Sequence, residues 1–381
     1  MHDTTYLVEP TGPPYSDVQL TLCLTHHCNL SCRYCYGGAK SQRHMSLATG
    51  RAAIELALRA TRQRLHLIFF GGEPLTRWHT LVRLTELAQA RSAQAGIEVR
   101  CSVTTNGTLL TRQRVDWLSR HDFVTAVSCD GTARAHDAQR VGPAGQGSHR
   151  RTVAGLERAI ASGLKVRVVL VVHPTNVAEL PASVEFLRAL GAHDLVVNPD
   201  WSASWDDPAV LERWTAAYRA VGAQYVAAYQ DGHPFWISSI DTKIAAHIKD
   251  GYLAAERCDL GRRNLVVAAS GNLYPCDRLV GEDADQRFVI GHVSTGPDRD
   301  RISQLVAATC SLPRECVDCT VAARCRNRCA CANLAMTGSV GEPSPTLCFH
   351  EQLAVRVADQ AADELYAQRN PLFMLHHYGE R

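Results

Sequence analysis

No stretch of this sequence is apolar for long enough to cross a bilayer. The longest runs, such as VVLVV at 168–172, fall far short of the roughly 20 residues a spanning helix needs. The start, MHDTTYLVEPTGPPYSD, lacks a basic segment followed by an apolar core, so no secretory signal is expected. Neither sign of charge is in excess. A net charge of +2 gives no global pull toward nucleic acid or an anionic membrane. The frequent arginines are interleaved with acids, as on solvated helix faces. Repeats and low-complexity segments are also missing. These absences predict a soluble, cytoplasmic protein with neither nucleic acid nor membrane as its partner.

Cysteine, by contrast, is plentiful, at 15 residues. In a reducing compartment disulfides are disfavoured, so clustered cysteines point to metal or catalysis. Three lie at 28–35 and seven between 310 and 348, which also argues against the alternative of an oxidised secreted chain. With 381 residues, 46% of them apolar, the chain has enough material for one large domain and an appendage.

Short apolar runs alternate with helical patterns from residue 17 onward. Strands are predicted at 18–24, 66–70, 98–105, 123–129, 165–172 and 194–198. Helices are predicted after Ser46, over 78–95, after Thr111, at 149–162 and at 177–190, with Ser46 as an N-cap. Near-continuous apolar strands joined through helices predict an α/β fold with a parallel sheet buried on both faces. Six such units, fewer than the eight of a closed barrel, predict a partial (β/α)6 TIM-like barrel. After residue 200 come a long helix with Asp207 as N-cap and Pro208 at its first position, and a helix near 238–250. A hairpin in LVVAASGNLYPC, a cysteine-rich loop region and a closing helix at 350–368 complete the chain. The expected organisation is an extension at 1–17, a barrel over 18–250, a small cysteine-rich cluster-binding domain over 251–349 and a C-terminal helix over 350–381.

In CLTHHCNLSCRYCYGG (23–38), Cys28, Cys32 and Cys35 form a C-x₃-C-x₂-C run on the loop after the first strand. In an α/β barrel that is the rim where active sites collect. Tetrahedral zinc and an ordinary 4Fe-4S cubane want four protein ligands. Three thiolates can hold three irons and leave the fourth open to another ligand. C-x₃-C-x₂-C with an aromatic, Tyr34, before the last cysteine resembles the signature of radical S-adenosylmethionine (radical SAM) enzymes. There the cofactor's amino and carboxylate groups complete the fourth iron. FFGGEPL (69–75) resembles the Gly-Gly-Glu turn of that family, implying that Gly71, Gly72 and Glu73 serve the cofactor. TTNGTLL (104–110) and SCDGTARAHDAQR (128–140) resemble segments that contact its ribose and carboxylate. On that resemblance Asn106, Ser128 and Asp130 are polar contacts and Arg140 a carboxylate partner. A turn built from Gly, Asn and Asp is the plainer reading of each segment taken alone. The resemblance implies one-electron cleavage of S-adenosylmethionine to a 5′-deoxyadenosyl radical, an electron donor such as flavodoxin or ferredoxin, and a dry lumen for the reaction.

Seven tail cysteines, Cys258, Cys276, Cys316, Cys319, Cys325, Cys329 and Cys348, have the gaps of the SPASM domain, which the tail resembles. Their rival reading is a structural zinc site built from four of the last five. The resemblance implies two auxiliary 4Fe-4S clusters, three clusters in all. Cys316, Cys319, Cys325 and Cys348 would bind the outer one, and Cys258, Cys276 and Cys329 the inner one. No cysteine lies between Cys129 and Cys258 to serve as an eighth ligand. Cys310 or Cys331 could fill the place, or an iron stays open. Cys23, Cys101 and Cys129, within predicted strands, read as small core residues. Asp277, directly after Cys276, resembles a general base of sulfatase-maturing enzymes, or else fixes the turn. Asp241 is a weaker pocket candidate.

The implied activity is oxidative modification of a ribosomally made precursor peptide, forming a carbon–carbon, carbon–oxygen or thioether crosslink. The alternative is sulfatase maturation, making formylglycine from Cys or Ser. Some peptide-modifying relatives carry an N-terminal leader-binding domain. With some seventeen residues before the first strand, leader recognition is expected from a separate protein or from the barrel surface.

Overall fold

A computed structural model describes residues 15–253, 256–310 and 313–379. Nine strands enter a mostly parallel sheet: β1 (Tyr15–Cys23), β2 (Thr61–Phe70), β3 (Glu98–Thr105), β4 (Val124–Ser128), β5 (Lys165–Val172), β6 (Asp194–Pro199), β7 (Trp236–Ile237), β8 (Asn264–Val267) and β9 (Leu273–Tyr274). Between the strands run α1 (Leu47–Ala60), α2 (Trp78–Ala95), α3 (Arg112–Arg120), α4 (Ala133–Asp137), α5 (His149–Ala161), α6 (Leu180–Ala189), α7 (Pro208–Gln230) and α8 (Ser238–Ile248). Five helices follow: α9 (Arg299–Cys310), α10 (Arg314–Val317), α11 (Ala330–Thr337), α12 (Pro345–Ala367) and α13 (Pro371–Tyr378). This is the α/β class that the sequence predicts, with successive strands parallel and joined through helices.

The chain divides into two compact units. The first holds the chain through His27, Ala39–Val103 and Leu260–Ile302. Its strand order is β3-β2-β1-β8-β9, with β1 parallel to β2 in the register Leu20↔Leu67 and Leu22↔Phe69. Leu20, Leu22, Leu65, Leu67 and Phe69 are fully buried in it, together with Ile54 of α1 and Leu81 of α2. Ser46 caps α1 through Thr49 N–H, as its sequence predicts.

The hairpin expected in the tail joins this sheet. β8 pairs in parallel with β1 (Gln19↔Asn264) and β9 turns back against β8. An isolated two-stranded hairpin is marginal in water, and the edge of β1 offers it unpaired backbone groups.

The second unit holds Cys28–Gly38, Thr104–Asp259 and the chain from Ser303 onward. Its strands run β7-β6-β5-β4, all parallel. Side chains alternate with period 2: Val168, Leu170 and Val172 are buried, whereas Val169 and Val171 are half-buried. Thr111 and Asp207 cap α3 and α7 as predicted, with Pro208 opening α7. The closing helix starts five residues earlier than expected. Ser344 caps it through Leu347 N–H with Pro345 at the first position, so Cys348 lies in its first turn rather than before it. Asn370 and Pro371 repeat that signature and open α13, which the sequence reading did not separate from the C-terminal helix of 350–381. Among the described residues no helix is long and apolar enough to cross a membrane.

Candidate cluster and cofactor site

The loop carrying Cys28, Cys32 and Cys35 is tied by its main chain to the segment that follows β4. Ser31 N–H donates to Val141 O at 2.7 Å and Arg33 N–H to Gln139 O at 2.9 Å, and a turn closes from Cys35 N–H to Cys32 O at 3.2 Å. Asn106 steadies the start of the loop. Its Nδ2 donates to Asn29 Oδ1 at 2.9 Å and lies 3.8 Å from Cys28 Sγ. Its Oδ1 accepts the N–H and hydroxyl of Thr108 at 3.0 and 2.6 Å.

The two main-chain bonds flank Arg140. Its Nε donates to Asp130 Oδ2 at 3.1 Å, with side chains 7% and 1% exposed. Tyr34 donates its hydroxyl to the same oxygen at 2.5 Å, and Val171 N–H reaches Oδ1 at 2.9 Å. The guanidinium also stands over the Tyr34 ring, 5.2 Å from its centroid. Burial works against the charge of Arg140, and Asp130, together with Tyr34 and Cys32, more than restores it. Burial likewise pushes the Tyr34 hydroxyl well above its usual range, so it remains a donor. Asp130 thus spends its oxygens on the protein, and acts on any ligand through Arg140 and Tyr34.

Behind this group lies a neutral chain. His136 Nδ1 accepts Asp130 N–H at 3.3 Å, its Nε2 faces Ser148 Oγ at 2.9 Å, and Ser148 donates to Arg140 O at 2.6 Å. These partners assign the proton to Nε2. Burial holds the ring's pKa down at about 2.

In the other unit, the glycine pair has a reason within the chain itself. Gly71 has φ +120°, and a Cβ there would lie 2.5 Å from Thr25 O; at Gly72 it would lie 2.2 Å from His27 O. Only glycine permits that approach, through which Gly72 N–H bonds Thr25 O and Glu73 N–H bonds His27 O. Glu73 is fully buried, its Oε1 accepting Leu75 N–H. In the same unit Cys276 Sγ lies 3.7 Å from Asp277 Oδ1, and Asp277 opens a 3-10 turn, Asp277–Leu279. Cys23 is buried there and its thiol is pushed up, by burial first and then by Asp277 and Asp283. Burial pushes Cys101 and Cys129 up to about 12, as befits core residues.

The tail thiols of the second unit fall on α10 (Cys316), the turn after it (Cys319), the end of a 3-10 turn (Cys325), the N-cap of α11 (Cys329) and α12 (Cys348). The Cys348 thiol is raised by burial and then by Cys316 and Cys319, and Cys325 in turn lies within reach of Cys348. Thiols crowded together and buried in this way are relieved by a cation, so the donor set fits an iron–sulfur cluster. Cubane thiolates bind separate irons and need not converge on one point. Among the described residues no group of three His, Cys, Asp or Glu side chains converges so as to hold a single ion. None of the 14 cysteines whose side chains are described forms a disulfide. Cys258 is exposed, and Cys329 and Cys331 thiols meet at 3.6 Å. The Cys310 side chain lies outside the described residues.

The sequence reading passed over His173 and Asp200, the first polar residues beyond β5 and β6. The register Val172↔Pro199 brings them side by side at the strands' C-terminal ends, past Ser128, which ends β4 half-buried. His173 Nδ1 accepts Thr175 N–H at 3.1 Å, and Asp200 Oδ1 accepts the N–H and hydroxyl of Ser202. A polar residue closing an apolar strand was the available signal.

A description of the radical SAM superfamily matches residues 22–187. The AdoMet-dependent heme synthase of Methanosarcina barkeri is 30% identical over 67% of this chain and 75% of its own. The serine-type anaerobic sulfatase-maturating enzyme of Klebsiella aerogenes is 25% identical over 85% and 78%, and the PqqA peptide cyclase of Gluconobacter oxydans 26% over 93% and 96%. Among solved structures, native anSMEcpe with bound AdoMet and the Cp18Cys peptide superposes with TM-score 0.77 at 16% identity, over 93% of this chain and 99% of that one. A three-cysteine loop on the rim of a parallel sheet, matched by pattern, relatives and fold alike, makes this chain a member of the radical SAM superfamily.

Proposed function

We propose that this chain is a maturase that oxidatively modifies a ribosomally made peptide, joining side chains by a carbon–carbon, carbon–oxygen or thioether bond. The observation that carries the reading is the tail, residues 251–349, in which Cys316, Cys319, Cys325 and Cys348 lie within electrostatic reach of one another. Auxiliary clusters suit a reaction that removes electrons from its substrate. A relative named for cyclising a peptide, aligned over 93% of this chain, supports a peptide as substrate.

In this reading Cys28, Cys32 and Cys35 hold the cluster that binds S-adenosylmethionine. Tyr34, Gly71, Gly72, Glu73, Asn106, Ser128, Asp130 and Arg140 shape the cofactor's surroundings. Cys316, Cys319, Cys325 and Cys348 hold an outer auxiliary cluster, and Cys258, Cys276 and Cys329 an inner one. Bound together, these groups supply one-electron cleavage of the cofactor, hydrogen-atom removal from an unactivated carbon, and a sink for the electron left behind. Asp277 Oδ1 or Oδ2 accepts the proton released from the substrate. A flavodoxin or ferredoxin supplies the first electron, and leader binding falls to a separate protein or to the chain's own surface.

A second reading is formylglycine formation from Cys or Ser. The sulfatase-maturating relative and the Cys276–Asp277 pair favour it. Co-expression with a candidate short peptide, sought first among open reading frames beside the gene, followed by mass spectrometry and hydrazide labelling, decides between the two. Loss of a pair of hydrogens without an aldehyde supports the crosslink. An aldehyde assigns formylglycine, and an unchanged peptide overturns that peptide as substrate.

A further inference from the structure

Cys325 is the one tail cysteine that is fully buried among those described, at 7% exposure. The chain on both sides of it is held by two charges that do not reach solvent, Lys243 of α8 and Glu351 of α12, 3% and 2% exposed. Lys243 Nζ donates to Glu351 Oε2 at 2.5 Å and to Arg324 O at 2.9 Å. The same Glu351 oxygen accepts Arg326 N–H at 2.8 Å. Arg324 returns the hold, sending Nη2 to Lys243 O at 3.0 Å and both Nη atoms to Asp359 of α12 at 3.1 and 2.6 Å.

Stability does not explain such a pair. Taking two charges out of water costs several kcal/mol per ion, and apolar residues of similar volume are often as stable or more so. What a buried pair can supply is one arrangement among many, and here its bonds fall on the residues immediately before and after a candidate ligand. The two charges act on the Cys325 thiol in opposite directions, whereas their hydrogen bonds all act to fix the chain beside it.

We infer that Lys243 and Glu351 are positioning residues, which set the Cys325 loop in its ligating shape before iron arrives. The inference rests on the reading that Cys325 binds an auxiliary cluster. It differs from a merely structural role in one respect: replacing the pair by apolar residues should leave the fold intact and the cluster lost.

The test compares full-length wild type, Cys325→Ala and the double variant Lys243→Met/Glu351→Leu after anaerobic reconstitution. Iron and sulfide per chain, the EPR spectrum after reduction and the melting temperature of the iron-free chains are measured. The double variant is expected to match Cys325→Ala, losing about four of about twelve irons, while melting no lower than wild type. A double variant with wild-type iron and spectrum, beside a Cys325→Ala that loses iron, overturns the inference and leaves the cluster reading standing. If Cys325→Ala itself keeps its iron and spectrum, both fall. Should the double variant not fold, hydrogen exchange of the iron-free wild type decides. A protected Arg326 amide supports a preformed loop, and exchange at the rate of an open loop overturns it.

Discussion

The two thiol sets of the second unit are held in opposite ways. The loop of Cys28, Cys32 and Cys35 is fixed by main-chain bonds, Ser31 to Val141 and Arg33 to Gln139, and its last thiol is exposed. The tail set is fixed by side-chain charge, and its central thiol is buried. Main-chain pairing survives most substitutions, and here it leaves Cys35 exposed and Cys28 and Cys32 half-buried. Side-chain charge gives an enclosed site a single geometry, and makes it depend on individual residues.

Breaking each set should separate their roles most clearly. Cys28→Ala/Cys32→Ala/Cys35→Ala is expected to abolish cleavage of S-adenosylmethionine to 5′-deoxyadenosine and leave about eight of about twelve irons. Cys316→Ala/Cys319→Ala is expected to lose about four irons yet retain cleavage in the absence of peptide. Iron analysis beside chromatography of 5′-deoxyadenosine checks both, and equal loss of cleavage in the two variants would erase the distinction.

The backbone-held loop leans on one buried charge pair, and Asp130→Ala measures how much. The variant strands Arg140 beside Tyr34 without its carboxylate, and the cost of an unpaired buried charge is about 3–5 kcal/mol. Denaturant unfolding of the iron-free chain reads that directly. A cost below about 1 kcal/mol, the level of an exposed pair, would show that the main-chain bonds suffice.

Asp241 sharpens the comparison by lacking what the other two carboxylates have. Asp130 has a guanidinium and Glu351 an ammonium; burial works to raise the Glu351 carboxyl, but His350 and then Lys243 hold it well below its usual range. Asp241 accepts from neutral donors, Tyr225 OH at 2.8 Å and Ile237 N–H at 2.6 Å, and faces His377, whose pKa burial lowers to about 4. Burial therefore lifts the Asp241 carboxyl from 3.8 to about 7. The folded state keeps that proton to neutral pH, whereas the unfolded chain releases it near pH 4. The stability it contributes is full at low pH and lost as pH rises through 7. Between pH 5 and 8 wild type should lose about 2–3 kcal/mol relative to Asp241→Asn, read from unfolding curves across that range. Parallel curves would contradict the assignment.

Much of this was legible in the sequence, for reasons that can be named. Period and caps fixed β1 to β6, and Ser46, Thr111 and Asp207 marked helix starts because a side-chain oxygen beside free N–H groups is a local event. The start of α12 was missed although Ser344 and Pro345 carry the same signal, because the cysteines around them drew the reading toward a loop. What no local pattern could show is pairing at a distance. Lys243 and Glu351 are 108 residues apart, β8 finds β1 across more than two hundred, and Asp241 gains its proton chiefly from burial, with the Asp194 charge adding to it. The Gly-Gly turn was read as room for a ligand, and its contacts show room for the chain's own segment after β1, at Thr25 and His27.

The chain from Asp130 N–H through His136 and Ser148 to Arg140 O has a further consequence. It begins on an amide that cannot gain a proton and ends on a carbonyl that cannot lose one, and the direction of every bond between is fixed. Such a chain is an insulator for protons. No proton can travel this route toward Arg140, whose charge is therefore set by Asp130 and its other buried neighbours alone.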